Sequence, residues 1–250
     1  MKGLFSKAME AVFPTNIYCV CCGSVIDSSR KYGICDNCID KFHWVNMKTC
    51  EKCGKILETG YSHPLCSDCR MRDHSFDRGF TCAQYGLYER AVIMDMKYRD
   101  KSYICRKLGN IMAERISLED ISLDLVIPVP VHEKRLEERG YNQAELIGRP
   151  VAKRLALDLR ADILERKTAT AAMKDLGVWD RIDNMKEAFG IRKNMETAVS
   201  GKDILLIDDI YTTGATLDGC SRTLKNAGAG MVHVLTFAAG GNISAANTSI

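Results

Sequence analysis

The chain has 250 residues, 46% of them hydrophobic and 27% charged, with only 5 Pro. At roughly 150 residues per domain this allows one or two packed domains and excludes collagen-like, low-complexity and wholly disordered chains. Lys and Arg total 35 against 32 Asp and Glu, a formal charge of +3, so any contact with nucleic acid or a membrane surface must come from a local patch.

In chain order, residues 1–18 form an N-terminal segment in which Lys7 and Glu10 interrupt any apolar run of signal-peptide length. Later apolar stretches are broken long before the ~20 residues of a membrane span. The expected location is cytoplasmic, where cysteines serve as metal ligands or redox centres more often than as disulfides. That bears on the chain's one outlier, 12 Cys, nine of them between Cys19 and Cys69.

Four C-x-x-C knuckles stand at Cys19/Cys22, Cys35/Cys38, Cys50/Cys53 and Cys66/Cys69. The last two repeat the first two at an offset of 31 residues, and Gly23 and Gly54 repeat with them. Two knuckles close a four-thiolate site, with glycine permitting the tight turn after the second Cys. The pattern predicts two zinc ribbons in series over residues 19–78. Four thiolates leave no open coordination position, so both ions are structural. Tandem repetition favours each unit closing its own site, although a cross-braced pairing of the first and third knuckles preserves the same spacing. Zinc binding on the order of 10–16 kcal/mol supplies most of the folding free energy of such small units. Cys21, Cys82, Cys105 and Cys220 fall outside the pattern and read as small buried hydrophobes. His43, His63 and His74 are spare ligands at best.

Past Arg78 the cysteine clusters stop and an α/β pattern begins, giving a second domain at 79–237. Ala91, Val92, Met94 and Met96, then Ile104, Leu108, Ile111 and Met112, recur at helical spacing on either side of Arg99-Asp100, predicting two helices. Leu125 to Val131 is a β-branched run broken by prolines, a strand entering a rigid loop. Asn142 to Leu157 is helical in pattern, with Pro150 expected to kink or split it. Ile204 to Ile207 is a strand buried on both faces, Leu217 to Lys225 a helix, and Met231 to Phe237 another strand. Strand, helix, strand in this order predicts a parallel, doubly wound sheet. The tail, 238–250, rich in Gly, Ser, Asn and Ala, is expected to be mobile. Trp44 and Trp179 read as packing residues.

The chemistry concentrates in Leu205 to Thr216, where an apolar strand delivers Asp208 and Asp209 to its carboxyl end. Ligands bind at that end of a parallel sheet. A phosphate suits the N–H groups and dipole of the following helix, with Gly214 allowing close approach and Thr212, Thr213 and Thr216 adding hydroxyl donors around Ala215. Ionised Asp208 and Asp209 repel a phosphate and suit vicinal sugar hydroxyls. Phosphate at one end and diol at the other describe a ribose 5-phosphate group.

This stretch resembles the phosphoribosyl pyrophosphate motif of type I phosphoribosyltransferases. Together with Lys97-Tyr98-Arg99, Ile127-Pro128-Val129-Pro130, Lys134-Arg135-Leu136, Arg139 to Leu146, Arg181 to Asn184 and Ala188-Phe189, the chain resembles the ComF family of competence-associated proteins, which also place a zinc module first. The resemblance implies an α/β fold, a type I phosphoribosyltransferase-like parallel sheet with helices on both faces behind a small Cys-rich module. It implies that Asp208 and Asp209 hold the ribose hydroxyls and act in catalysis, that Thr212 to Thr216 hold the 5-phosphate, and that Lys134, Arg135 and Arg139 face pyrophosphate with Mg²⁺. It also implies a role in DNA uptake. Met173 stands where the family more often has Gln, in a loop from Glu165 to Asn184 expected to close over the ligand. Two functions follow as expectations. One is a phosphoribosyltransferase with an unidentified acceptor. The other is a non-catalytic adaptor whose ribose-phosphate pocket reads a DNA 5-phosphate or a small regulator while the zinc ribbons dock a helicase-like competence protein or single-stranded DNA, with Tyr98 and Tyr141 as stacking candidates.

Overall fold

A computed structural model describes residues 17–27, 29–30, 32–98, 101–167 and 188–240. After the first ribbon with its short helix α1 (Asp36–Ile39) and the second with α2 (Ser67–Met71), the chain enters strand β1 (Arg78–Gln84). Helices α3 (Leu87–Tyr98) and α4 (Tyr103–Ile116) follow, then β2 (Leu125–Pro128), the surface helix α5 (Glu133–Arg139) and α6 (Gln143–Leu155). Beyond these come β3 (Asp158–Leu159), the hairpin β4 (Leu164–Arg166) and β5 (Phe189–Ile191), α7 (Glu196–Val199), β6 (Ile204–Tyr211), α8 (Ala215–Asn226) and β7 (Val232–Ala239). Five strands form one sheet in the order β1-β7-β6-β2-β3, each pair parallel. The doubly wound expectation holds.

Alternation along each strand divides the interior into two cores. Leu205, Ile207, Leu235 and Phe237 join α3, α4 and α6 on one face, whereas Ile204, Leu206, Val232 and Val234 join α8 and the β4–β5 hairpin on the other. The ribbons split the same way. Cys19, Cys38 and Phe42 belong to the first core, and Cys50, Cys53, Cys66, Cys69 and Phe76 to the second. The link between them passes along the outer edge of β1, where Val45 N–H donates to Cys82 O at 2.9 Å and Gln84 N–H to His43 O at 2.8 Å. Trp44, stacked on Phe42 with ring centroids 5.1 Å apart, pairs there with Ala83, so an otherwise exposed sheet edge is covered. Trp44 is thus the packing residue expected; Trp179 lies outside the described residues. Glu89, fully buried in α3, accepts from His43 N–H at 2.7 Å and Gly86 N–H at 3.0 Å, fastening the link to the helix.

Three expectations need correction. Pro150 does not split its helix: residues Gln143–Leu155 form one helix, seated against α4 where Gly109 has no side chain and the Pro150 ring sits 3.0 Å from where a Cβ would be. The strand predicted to end near Ile207 continues through both aspartates to Tyr211, because β7 pairs alongside it to Ala239. For the same reason Ala238 and Ala239 are buried strand residues rather than the start of a mobile tail; positions 241–250 lie outside the described residues. Among the described residues no helix is long and apolar enough to cross a membrane.

Candidate functional site

Two groups of four thiols are drawn together, Cys19, Cys22, Cys35 and Cys38 in one and Cys50, Cys53, Cys66 and Cys69 in the other, with the sulfurs of each group within 4.8 Å of one another. Each ribbon therefore closes its own site, and the cross-braced alternative is excluded. The Cys22–Cys35 and Cys53–Cys66 sulfurs are 3.7 Å apart, close to the ~3.8 Å edge of a tetrahedron with ~2.3 Å zinc–sulfur arms. Backbone N–H groups support the sulfurs in register: Cys35 N–H points to Cys19 Sγ at 3.4 Å and Cys66 N–H to Cys50 Sγ at 3.2 Å. Gly23 and Gly54 follow their knuckles at φ of 73° and 76°, as the tight turn requires. The two clusters fit two structural zinc ions. Among the described residues no histidine joins them. Cys82, Cys105 and Cys220 are buried, as expected of small hydrophobes, and Cys21 is half-buried beside the first cluster.

The second site lies at the carboxyl ends of β2 and β6. These neighbouring strands send their connections to opposite faces, β2 through α5 into α6 and β6 into α8, which makes the crevice between them the switch point of the sheet. A cavity of about 180 Å³ opens there, with Asp208, Asp209, Thr212, Thr216, Arg135 and Arg139 among its lining residues. Six of the predicted ligand residues thus meet. Lys134 is exposed on α5 and does not line the cavity; Thr213 and Gly214 form the turn that leads into α8, which Ala215 opens, and none of the three is among the lining residues. Gly214 adopts φ of 78°, and a Cβ there would collide with the Tyr211 hydroxyl and lie 2.6 Å from Cζ of that ring. Only glycine fits. The motif from Arg181 to Asn184, and Met173, lie outside the described residues.

Three further cavity-lining side chains were given no role by the sequence reading, although Lys97 and Gln143 stand in motifs that carry the resemblance. Lys97, from the end of α3, reaches Asp209 with Nζ 2.9 Å from Oδ1 and 2.7 Å from Oδ2. Arg166 comes from β4, its guanidinium 5.3 Å from the Phe189 ring centroid, and Gln143 opens α6. Lys97 belongs to a quoted motif, but its partner is 112 positions away, a distance that no local pattern bridges. The aspartates differ accordingly. Asp209 is buried and held by Lys97, whereas burial and the neighbouring Asp209 charge push the Asp208 carboxyl up to about 7, against the pull of Lys97, the Asp209 N–H and Arg166. Tyr98 is exposed with Arg139 5.1 Å from its ring centroid, and Tyr141 donates to Met96 O at 2.8 Å, so neither presents an unengaged stacking face and hydroxyl together.

Behind the turn from Thr212 to Gly214, the second ribbon supplies a polar buttress. The Tyr211 hydroxyl lies 3.3 Å from His74 Nε2, whose other ring nitrogen is 3.7 Å from Asp218 in α8. Lys55, paired with Asp68 at 2.6 Å, sits 5.3 Å from the Tyr211 ring centroid. Burial raises Asp218, but His74, the Ser75 N–H and Arg222 outweigh it and hold the carboxyl at about 2.

Comparison with known families agrees with this division of labour. Residues 8–70 match the Double zinc ribbon domain and residues 144–245 the Phosphoribosyl transferase domain. Fold and sites together define a phosphoribosyltransferase-fold protein that carries a double zinc ribbon. Competence protein F of Haemophilus influenzae is 30% identical over 148 residues, covering 57% of this chain and 64% of its own length, just under two thirds. DNA utilization protein YhgH of Escherichia coli K12 is 28% identical over 165 residues, covering 64% of this chain and 70% of its own. Competence protein ComFC of Bacillus subtilis is 33% identical over 108 residues, covering 42% and 39%. The chain is thus similar to competence and DNA-utilization proteins in combining a double zinc ribbon with a phosphoribosyltransferase domain.

Proposed function

We propose that the cavity between β2 and β6 binds phosphoribosyl pyrophosphate, and that the protein transfers its phosphoribosyl group to an acceptor in the service of DNA uptake. The observation that carries this reading is the pairing, on one strand end, of an acidic dyad with a glycine-opened helix N-terminus. The α8 N-terminus and Thr212 and Thr216 receive the 5-phosphate. Asp208 and Asp209 accept from the ribose hydroxyls, with Lys97 fixing Asp209 in place. Cleavage at the anomeric carbon passes through an oxocarbenium-like state, by analogy with glycoside chemistry, so the protein needs to stabilise a departing anion rather than supply a nucleophile. Arg135 and Arg139, which line the cavity, serve that task in this reading. When bound, Mg²⁺ neutralises charge on pyrophosphate. Asp208, the carboxylate not engaged by Lys97, fits that ion's preference for one protein carboxylate completed by water and substrate oxygens. The relatives' names, which refer to competence and DNA utilization, support the biological setting.

A second reading, an adaptor for single-stranded DNA and a helicase-like partner, is favoured by a separate groove of about 880 Å³ between α4 and α6. Arg106, Arg149, Lys153 and Arg154 line it beside Tyr103, with no acidic side chain among the lining residues. Calorimetric titration of the zinc-loaded protein with phosphoribosyl pyrophosphate and Mg²⁺ separates the two. The first reading expects saturable heat in the parent and none in Asp208→Ala/Asp209→Ala. A parent that gives no heat yet retains a single-stranded oligonucleotide at low salt, where phosphate contacts are strongest, supports the second.

A further inference from the structure

Gln143 is the first residue of α6 and only 3% exposed, yet its Nε2 is buried without a hydrogen-bond partner among the described residues. Buried side-chain donors are nearly always paired, so this amide stands out. It stands on the wall of the cavity between β2 and β6. Its surroundings favour an anion. Lys97, Arg135, Arg139 and Arg166 line the cavity against two carboxylates, and Lys97 already holds one of these. The positive end of the thirteen-residue helix α6 faces the same space, its first turn ordered by Asn142 Oδ1 accepting from Ala144 N–H at 3.0 Å. Two helix N-termini therefore approach one cavity from the two sides of the switch point. The one at α8 has the glycine turn; the one at α6 has the unpaired amide.

We propose that Gln143 Nε2 donates to an anionic oxygen of the ligand's second phosphate group, the one remote from the Thr212–Thr216 turn, and that it selects ligands carrying such a group. The inference rests on the reading of this cavity as a phosphoribosyl pyrophosphate site and adds the residue that recognises the pyrophosphate end. Three probes test it by calorimetry on the full, zinc-loaded chain: phosphoribosyl pyrophosphate with Mg²⁺, inorganic pyrophosphate, and ribose 5-phosphate.

Gln143→Leu should weaken the first two by about tenfold or more, the scale of a hydrogen bond to a charged group, and leave ribose 5-phosphate within about twofold. Gln143→Glu, placing a carboxylate where the amide donates, should weaken pyrophosphate further still. Thermal unfolding supplies the control. Gln143→Leu removes an unpaired buried donor, so its midpoint should equal or exceed the parent's, whereas a purely structural Gln143 would lower it. Unchanged binding of all three probes in both variants, meaning that the amide serves only a buried water, overturns the proposal. So does an equal loss of all three, meaning that Gln143 merely shapes the cavity. A parent that binds pyrophosphate, with Gln143 sensitivity, but neither phosphoribosyl ligand retains this anion subsite and sinks the phosphoribosyl reading. A parent that binds none of the three overturns both.

Discussion

Asp208 and Asp209 are neighbours in sequence with different surroundings, and the difference has a measurable consequence. Asp209 is compensated by Lys97 at 2.7 Å, whereas Asp208 bears burial and the adjacent charge, which raise its carboxyl from an ordinary 3.8 to about 7. Between those two values the folded protein holds a proton that the unfolded chain has released. Stability from this group is therefore present at acid pH and declines as pH rises through 7. Asp208→Asn keeps an oxygen to accept the Asp209 N–H, which Asp208 Oδ1 now accepts at 2.8 Å, and removes the charge. The variant should match the parent's unfolding midpoint only near pH 3.8 and below, and exceed it by a margin that grows from pH 5 to pH 8, at about 2–4 °C for each kcal/mol relieved. The same substitution should weaken phosphoribosyl pyrophosphate binding, a carboxylate strained for its ligand at the expense of the fold. A midpoint difference that is flat from pH 5 to 8 would show that Asp208 carries no such strain. The dyad and its glycine turn were legible in sequence because they are contiguous. The roles of Lys97, Arg166 and Gln143 were not, although Lys97 and Gln143 stand in quoted motifs, because α3, β4 and α6 bring them from remote segments where nothing local marks a basic or amide side chain as inward-facing.

At the scale of elements, long periodic segments were readable and short or fully charged ones were not. The apolar cores of β6 and β7 follow from unbroken hydrophobic runs. β1 went unrecognised because Gly79 and Ala83 carry little strand signal, its burial gives no alternation, and its place is set by pairing with β7 and by the inter-ribbon link. β3 has only two residues, and α5, Glu133–Arg139, has no buried face to give it a period. Pro150 misled for a related reason, since the local rule against proline in a helix omits the neighbour that the helix packs against. That packing is testable. At Gly109 of α4 a Cβ would collide with the Ile147 carbonyl and approach the Pro150 ring to 3.0 Å, so α4 and α6 must separate to admit one. Gly109→Ala should cost about 1–3 kcal/mol despite the better helix propensity of alanine. Because α6 carries Gln143, phosphoribosyl pyrophosphate affinity should fall with it. A variant as stable as the parent would mean the two helices are not in close contact there.

For the whole molecule, the two ribbons are repeats in sequence but not in position. The first contributes Cys19, Cys38 and Phe42 to the core shared with α3 and α4, and Tyr32 donates to Glu114 on α4. The second enters the opposite core and, through Lys55, His74 and Phe76, surrounds Tyr211, against whose hydroxyl Gly214 is packed. Both ions should hold their ribbons folded, and metal analysis should find two zinc per chain and one after either site is disabled. The consequences should then diverge. Cys35→Ser/Cys38→Ser should lower the unfolding midpoint with little change in affinity for phosphoribosyl pyrophosphate, because the first ribbon touches scaffold. Cys66→Ser/Cys69→Ser should weaken that affinity roughly tenfold, the scale of coupling of ~1–2 kcal/mol carried through packed side chains. Tyr211→Phe, which leaves both zinc sites intact but removes the hydroxyl beside His74, should reproduce part of that loss. Equal affinities in the two serine pairs would show that the second ribbon steadies the sheet alone; a loss confined to the second pair would show that zinc there sets the turn on which the 5-phosphate rests.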